Sequence, residues 1–274
     1  MTKRKTIIIA EIGENHMGDM ARARQMIAEA AKAGADIVKF QSYLASEVAD
    51  TDPEKEWFAQ VQLSDEAHYE LKECAKKHGV EFLSSPFSIN RAKLLCEGLG
   101  LKKIKIASSE LLNFSLLDYI NRHADTVFVS TGMATLAEIK QALAHLNNVK
   151  TSYIMHCVTQ YPTRPEDANL NVITTLRAEF PQHHIGYSDH TTGLQAALTA
   201  VALGAEVIEK HFTLDKSLPG TDHPLSAEPD ELRQLVTGVR EVEALLGSYD
   251  KKPTDDEAEI KSLFRSRFPK DEGD

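Results

Sequence analysis

Eight short runs rich in β-branched residues alternate along this chain with eight longer segments of helical period, and few architectures accept that pattern. Strand then helix, repeated, is the signature of βα units around a parallel sheet. The predicted strands are 6–12, 36–41, 81–86, 103–108, 126–131, 152–157, 184–189 and 206–212. The helices are expected at 19–33, 64–78, 88–98, 115–124, 135–146, 171–179, 192–203 and 228–246. Eight units with no leftover strand favour closure into a single (β/α)8 TIM barrel over an open doubly wound sheet, and no GxGxxG turn follows the first strand. Gly34 and Gly204 each stand between the end of a helix and the next strand, where glycine can take the left-handed conformation that stops a helix.

At 274 residues the chain has the length of one such barrel. A content of 42% hydrophobic and 26% charged residues is that of a globular domain able to bury a core, which leaves no reason to expect disorder or a membrane span. A formal charge of −10 disfavours nucleic acid as a partner, because phosphate backbones select basic surfaces. The opening MTKRKTIIIAEIGENH has a basic lead, but Glu11 interrupts its apolar run before a signal segment is complete, so the expected location is cytoplasmic. Cys74, Cys96 and Cys157 form no CxxC pair and are expected as buried small side chains, with Cys157 also a candidate for a pocket wall. The barrel is assigned to 1–248. The charged stretch 249–274 is expected to be a C-terminal arm or linker remnant, with Phe264 and Phe268 packing on the barrel's outside or on another subunit.

Polar residues gather at the carboxyl ends of the predicted strands, where barrels of this kind build their sites. They are Glu11 with Asn15 and His16, Lys39 with Gln41, Ser84 with Ser85, Lys105 with Ser108 and Glu110, Ser130 with Thr131, His156 with Thr159 and Tyr161, Ser188 with Asp189 and His190, and Glu209 with His211. Lys39 and Lys105 each interrupt an apolar strand, and a buried ammonium needs a bound anion or a carboxylate beside it. Two lysines with several serines suit a phosphate; an ion pair with Glu11 or Glu110, or a Schiff-base lysine, are the other readings. His190 and His211 end neighbouring strands, so their imidazoles can converge on a divalent metal with positions left open for catalysis. Taken singly, each is equally a core or capping residue. His156, His183 and His184 are weaker candidates, and His68, His78, His123 and His145 are expected at surface or helix positions. The stretch 218–224 is rich in turn formers and is expected as a rigid loop over the pocket, where Asp222 binds substrate hydroxyls or caps a turn.

The segments AEIGENHMGD (10–19), VKFQSY (38–43), SSPFS (84–88), KIAS (105–108), STGM (130–133), QYPT (160–163), GYSDHT (186–191) and EKHFT (209–213) together resemble the sialic acid synthase family, in the family's order and through the whole barrel. The resemblance implies a metal-dependent transferase that condenses phosphoenolpyruvate (PEP) with an open-chain acylamino sugar such as N-acetylmannosamine. It further implies that Lys39, Ser85, Lys105, Ser108, Ser130 and Ser188 hold PEP, and that His190 and His211 bind Mn, with Mg or Co as alternatives. Gln41, Thr159, Tyr161, Glu209 and Asp222 would then face the sugar, and Glu11 would be the acid/base. The chain departs from the family pattern at Thr159, where Asn is usual, and at Ser85, where Thr is usual. The C-terminal antifreeze-like domain that closes the partner's site in a family homodimer is not found in these 274 residues, and a separate lid protein is another way to supply it. Another PEP-dependent sugar-acid synthase of the same superfamily, and a non-catalytic barrel partner, are the competing functions.

Overall fold

Side chains alternate faces along a strand, and here the two faces differ in kind. The computed structural model describes residues 5–268, so the basic lead at 1–4 and the last acidic residues at 269–274 lie outside the described residues. The chain begins with β1 (Ile7–Gly13), α1 (Met20–Ala33), β2 (Ile37–Ser42), α2 (Lys55–Val61), α3 (Asp65–Lys77), β3 (Glu81–Pro86) and α4 (Ile89–Lys93). It continues through β4 (Lys103–Ile106), α5 (Phe114–His123), β5 (Thr126–Ser130), α6 (Leu136–Ala144), β6 (Thr151–Cys157) and α7 (Val172–Glu179). The last units are β7 (His184–Asp189), α8 (Gln195–Ala202), β8 (Val207–His211), α9 (Pro229–Leu246) and α10 (Asp255–Arg265).

All eight expected strands form, and they pair in parallel in the order β3-β2-β1-β8-β7-β6-β5-β4. Among the described residues β3 and β4 touch without a hydrogen-bonded ladder, so the barrel is nearly closed, with its seam at the four-residue β4. The predicted strand 103–108 stops early because Ser108–Glu110 turns into a short 3-10 segment. Two elements were not expected. One is α2, which lies in the excursion between β2 and α3; the other is α10, which gives the charged arm a helix opened by a Thr254–Glu257 capping box. Gly34 and Gly204 do take positive φ, 94° and 99°.

The outward faces of the strands join the helices in one large apolar layer that includes Ile8, Val38, Ile104, Val129, Ile154 and Ile208. Inside the barrel a separate plug is formed by Ile9, Ile37, Leu83, Phe128, Tyr153, Met155 and Val207. Gly186 makes room for that plug: a Cβ there would sit 2.9 Å from Val207 O and 3.2 Å from Met155 Cγ. Gly186→Ala is therefore expected to destabilise the barrel by about 1–3 kcal/mol through overpacking. The check is the midpoint of urea unfolding, and an unshifted midpoint would show that the plug tolerates the methyl group.

One step further along each strand, the inward positions change from apolar to polar. Glu11, Lys39, Ser85, Lys105, Ser130, Cys157, Ser188 and Glu209 follow the plug: Glu11 pairs with Lys39 and Ser188 with Cys157 and Glu209, while the stagger of the strands sets Lys105 beside Phe128 and Ser130 beside Met155. The plug thus becomes the base of a charged pocket at the carboxyl end of the barrel.

Candidate active site

A carboxylate shared by two lysines organises this base. Lys39 Nζ lies 3.0 Å from Glu11 Oε1 and 3.4 Å from Glu209 Oε1, and donates to Ser85 Oγ at 3.3 Å. Lys105 Nζ donates to Ser130 Oγ at 2.6 Å and stands 3.9 Å from the same Glu209 oxygen. Ser188 Oγ donates to that oxygen as well, at 3.0 Å. The second oxygens of Glu11 and Glu209 are buried without a hydrogen-bond partner among the described residues. Of the two carboxylates expected beside the lysines, Glu11 is there; Glu110 instead accepts from Asn113 at 2.8 Å, because the 3-10 turn after β4 carries it away from the barrel axis.

Burial and charge decide the protonation of this group. Burial pushes the Glu11 carboxyl up, against the pull of Lys39. For Glu209 burial acts in the same sense, but Lys105 and Lys39 outweigh it and hold the carboxyl down at about 2. Lys39 is disfavoured by burial yet raised by Glu11 and Glu209, whereas burial wins at Lys105 and lowers it. Two ammonium groups, with the hydroxyls of Ser85, Ser108, Ser130 and Ser188 around the same cavity, form a receptor for a compact anion.

The histidines stand on the adjoining wall, ring centroids 5.2 Å apart. His190 Nδ1 is 2.7 Å from the backbone oxygen of Val158, which can only accept; the proton is on Nδ1 and the lone pair of Nε2 is bare. His211 Nδ1 faces Asp222 Oδ2 at 3.2 Å, and burial, which lowers the imidazole pKa, is outweighed by Asp222. An imidazole held through one nitrogen by a carbonyl or carboxylate, with the other nitrogen free, is the usual posture of a metal-binding histidine. The donor set therefore fits a divalent metal. Among the described residues no three His, Cys, Asp or Glu side chains already close on one point, so remaining ligands would come from water or substrate. Tyr161 stacks on His190 at 4.1 Å and meets His211 edge-on at 5.9 Å.

Every residue given a role in this site by the resemblance, Gln41, Thr159 and Asp222 included, lines one cavity of about 370 Å³, whereas Asn15, His16, Ser84, Glu110, Thr131, His156 and Asp189 from the same strand ends do not. Two glycines shape it. Gly13, at φ 51°, lies where a Cβ would come within 3.2 Å of Glu11 Oε1 and 3.6 Å of Asp222 Oδ2. Gly132 donates its N–H to Ser108 Oγ at 3.0 Å and passes close under Thr159 Oγ1, which ties the ends of β4, β5 and β6 together.

Other expectations meet a different outcome. Glu209, assigned to the sugar side by resemblance, sits between the two lysines at the base. Asp222 takes no part in capping its turn and pairs with His211. His156 Nε2 donates to the Ala168 carbonyl oxygen at 2.8 Å, and His184 contacts Glu206, both away from the cavity. His68 stands on α3, a helix position as expected, with its side chain fully buried; Cys74 is only half-buried, while Cys157 is in the cavity wall, 3.8 Å from His190 Nδ1. Phe264 and Phe268 do not pack on the barrel: both are exposed, as is the whole of α10. Sequence reasoning missed the buried pair Lys210 and Asp189, 3.0 Å apart between barrel and helices. With Thr191 and Tyr187 donating to Asp189, it braces the strand ends that carry His190 and His211. It also missed Glu14, Glu54, Phe58 and Phe87 at the mouth. Glu14, inside the first motif, and Phe87, inside SSPFS (84–88), carried a signal in the sequence; Glu54 and Phe58 did not.

A model of the family described as NeuB matches residues 26–251. The chain belongs to the NeuB family. This NeuB-family chain is 39% identical over 279 residues to the N,N'-diacetyllegionaminic acid synthase of Legionella pneumophila, covering 94% of this chain and 78% of that one. It is 36% identical over 259 residues to the human N-acetylneuraminate-9-phosphate synthase, covering 89% and 72%. The crystal structure of the N-acetylneuraminic acid synthetase of Leptospira borgpetersenii in complex with citrate superposes with a TM-score of 0.90 at 36% identity, over 96% of this chain and 92% of that one. The NeuB-family chain is accordingly an enzyme of the sialic acid synthase type. Among its described residues no helix is long and apolar enough to cross a membrane.

Proposed function

We propose that this enzyme joins PEP to the aldehyde of an open-chain acylamino sugar resembling N-acetylmannosamine, releasing phosphate and a nine-carbon 2-keto-3-deoxy sugar acid. The observation that carries this reading is the cavity base, where Lys39, Lys105 and a ring of serines offer charge and short hydrogen bonds to a phosphate and a carboxylate together. PEP bound there presents C3 toward the histidine wall, which is where the sugar aldehyde is received.

His190 and His211 would hold a divalent metal, Mn by the family resemblance with Mg or Co as alternatives, with Asp222 orienting His211. When bound, such a metal polarises the aldehyde oxygen and stabilises negative charge developing on it. C3 of PEP then forms a bond to the sugar C1, and its C2 becomes electrophilic. Glu11, whose second oxygen is free and whose carboxyl is raised by burial, takes a proton from the water that adds at C2. Glu11 passes that proton to the sugar oxygen, and the C2 adduct collapses to the ketone, its hydroxyl proton leaving with the phosphate as the C–O bond breaks. Lys39 and Lys105 hold the phosphate as charge builds on it during departure. Fixing both substrates within one cavity supplies the orientation that a weak enol-phosphate nucleophile requires.

The test is release of inorganic phosphate from PEP with Mn and a panel of aldoses, with mass spectrometry of the product. A nine-carbon keto acid from an acylamino hexose is expected. A seven- or eight-carbon product from an unsubstituted aldose would move the enzyme to another branch of PEP-dependent synthases, and no phosphate release from any aldose would overturn the reading.

A further inference from the structure

The outer half of the cavity is built by a part of the chain with no catalytic assignment. Residues 43–64 leave the barrel after β2, carry α2 across the mouth and return to α3. Glu14, at the end of β1, is clamped from this excursion: Trp57 Nε1 donates to Glu14 Oε2 at 2.6 Å, and Tyr43 OH donates to Glu14 Oε1 at 3.0 Å. The loop after β8 closes on the same place, since Gly220 lies against the Trp57 ring. Glu14, Glu54 and Asp222 all line this side of the cavity, and among the described residues its only lysines or arginines are Lys39 and Lys105 at the base.

Beside this acidic wall is a second cavity, of about 230 Å³. Tyr43, Leu44 and Val48 line it with the carboxylates of Glu47 and Asp52, and it shares Gln41, Phe58 and Phe87 with the main one. Tyr43 meets Phe58 and Phe87 edge-on, at 5.2 and 5.9 Å, so the partition between the two spaces is aromatic. On its aromatic and aliphatic side such a recess accepts a methyl or acyl group, and its two carboxylates repel an anion.

On the synthase reading above, we propose that this mouth selects the far end of the sugar acceptor: it takes an uncharged terminus carrying an apolar or N-acyl substituent and rejects the phosphate ester of the same sugar. Asp222 is already paired with His211, so a phosphate dianion brought to the outer part of the mouth would face the carboxylate of Glu54, with the lysines out of reach at the base. A neutral sugar end is treated differently. Burial raises the Glu14 carboxyl to about 7, so it can donate to or accept from a hydroxyl or amide, while Trp57 and Tyr43 fix its direction.

The experiment compares kcat/KM for N-acetylmannosamine, its terminal phosphate ester and a diacetamido trideoxyhexose, with PEP and Mn at low ionic strength, in the wild type, Glu54→Lys and Glu14→Gln. The wild type is expected to prefer the free sugar to its phosphate ester by about tenfold or more, with the diacetamido sugar at least as good, and added salt is expected to narrow the gap. Glu54 is exposed at the start of α2 and makes no capping bond there, so Glu54→Lys leaves the fold intact. It is expected to cut the preference several-fold through the KM of the phosphate ester. Glu14→Gln should do the same to a smaller degree. A wild type that uses the phosphate ester as well as or better than the free sugars would overturn the proposal, as would an unchanged ratio in both variants. Either result would leave the synthase reading standing; no turnover of any acceptor would remove both.

Discussion

Glu11→Gln is expected to lower kcat by roughly 100- to 10,000-fold, the range for removal of a general acid/base, while leaving the KM for PEP nearly unchanged. The amide keeps the shape and an acceptor for Lys39 Nζ, now 3.0 Å from Glu11 Oε1, and Glu209 at 3.4 Å still compensates that ammonium. What is lost is a carboxylate oxygen able to take a proton. Alanine is the poorer probe, because deleting one partner of a buried pair costs about 3–5 kcal/mol by itself. Rapid-quench measurement of phosphate release, with thermal melting to exclude unfolding, gives the answer. Turnover within a few-fold of wild type would assign the proton transfer to another group.

His190→Ala and His211→Ala are each expected to abolish turnover by about three orders of magnitude, with the double variant little worse than either single one, since ligands of one centre act as a unit. A chelator should silence the wild type and Mn restore it, whereas Mn should rescue neither variant. Calorimetric titration supplies a readout independent of activity: one bound metal in the wild type, and none at comparable concentration in the variants. Asp222→Asn separates two roles for that residue. If Asp222 orients His211, from which it is 3.2 Å, metal affinity is expected to fall about 10- to 100-fold. If it serves the sugar alone, acceptor KM will rise and metal affinity will not move. Full wild-type activity in strict chelator would remove the metal from the reaction.

The barrel was legible because its determinants are local. A strand needs only alternate residues to commit, and the eight β-branched runs did so without knowledge of their neighbours. The base of the pocket was legible for a related reason: residues ending consecutive parallel strands are brought to one rim by the fold itself, so Lys39, Lys105, His190 and His211 could be placed together from position alone. Element ends were less certain where a turn follows directly, as at Ser108, whose hydroxyl is recruited by the N–H of Gly132 rather than by its own strand.

What the linear pattern determined, then, is a parallel eight-strand barrel whose inward face turns from Ile9 and Phe128 to Lys39, Lys105 and the serines, together with the two-histidine wall. What tertiary structure alone decided is who pairs with whom and what covers the mouth. Glu209 lies beside both lysines, Asp222 goes to His211 rather than to its own turn, and Glu14 meets Trp57 across 43 positions of sequence. Partners so distant leave no period or spacing in the chain. They are set when βα loops of different length fold back over one rim and each buried charge must find the nearest compensating group. That is why the chemistry at the barrel's base could be read from motifs, and the selection of its acceptor could not.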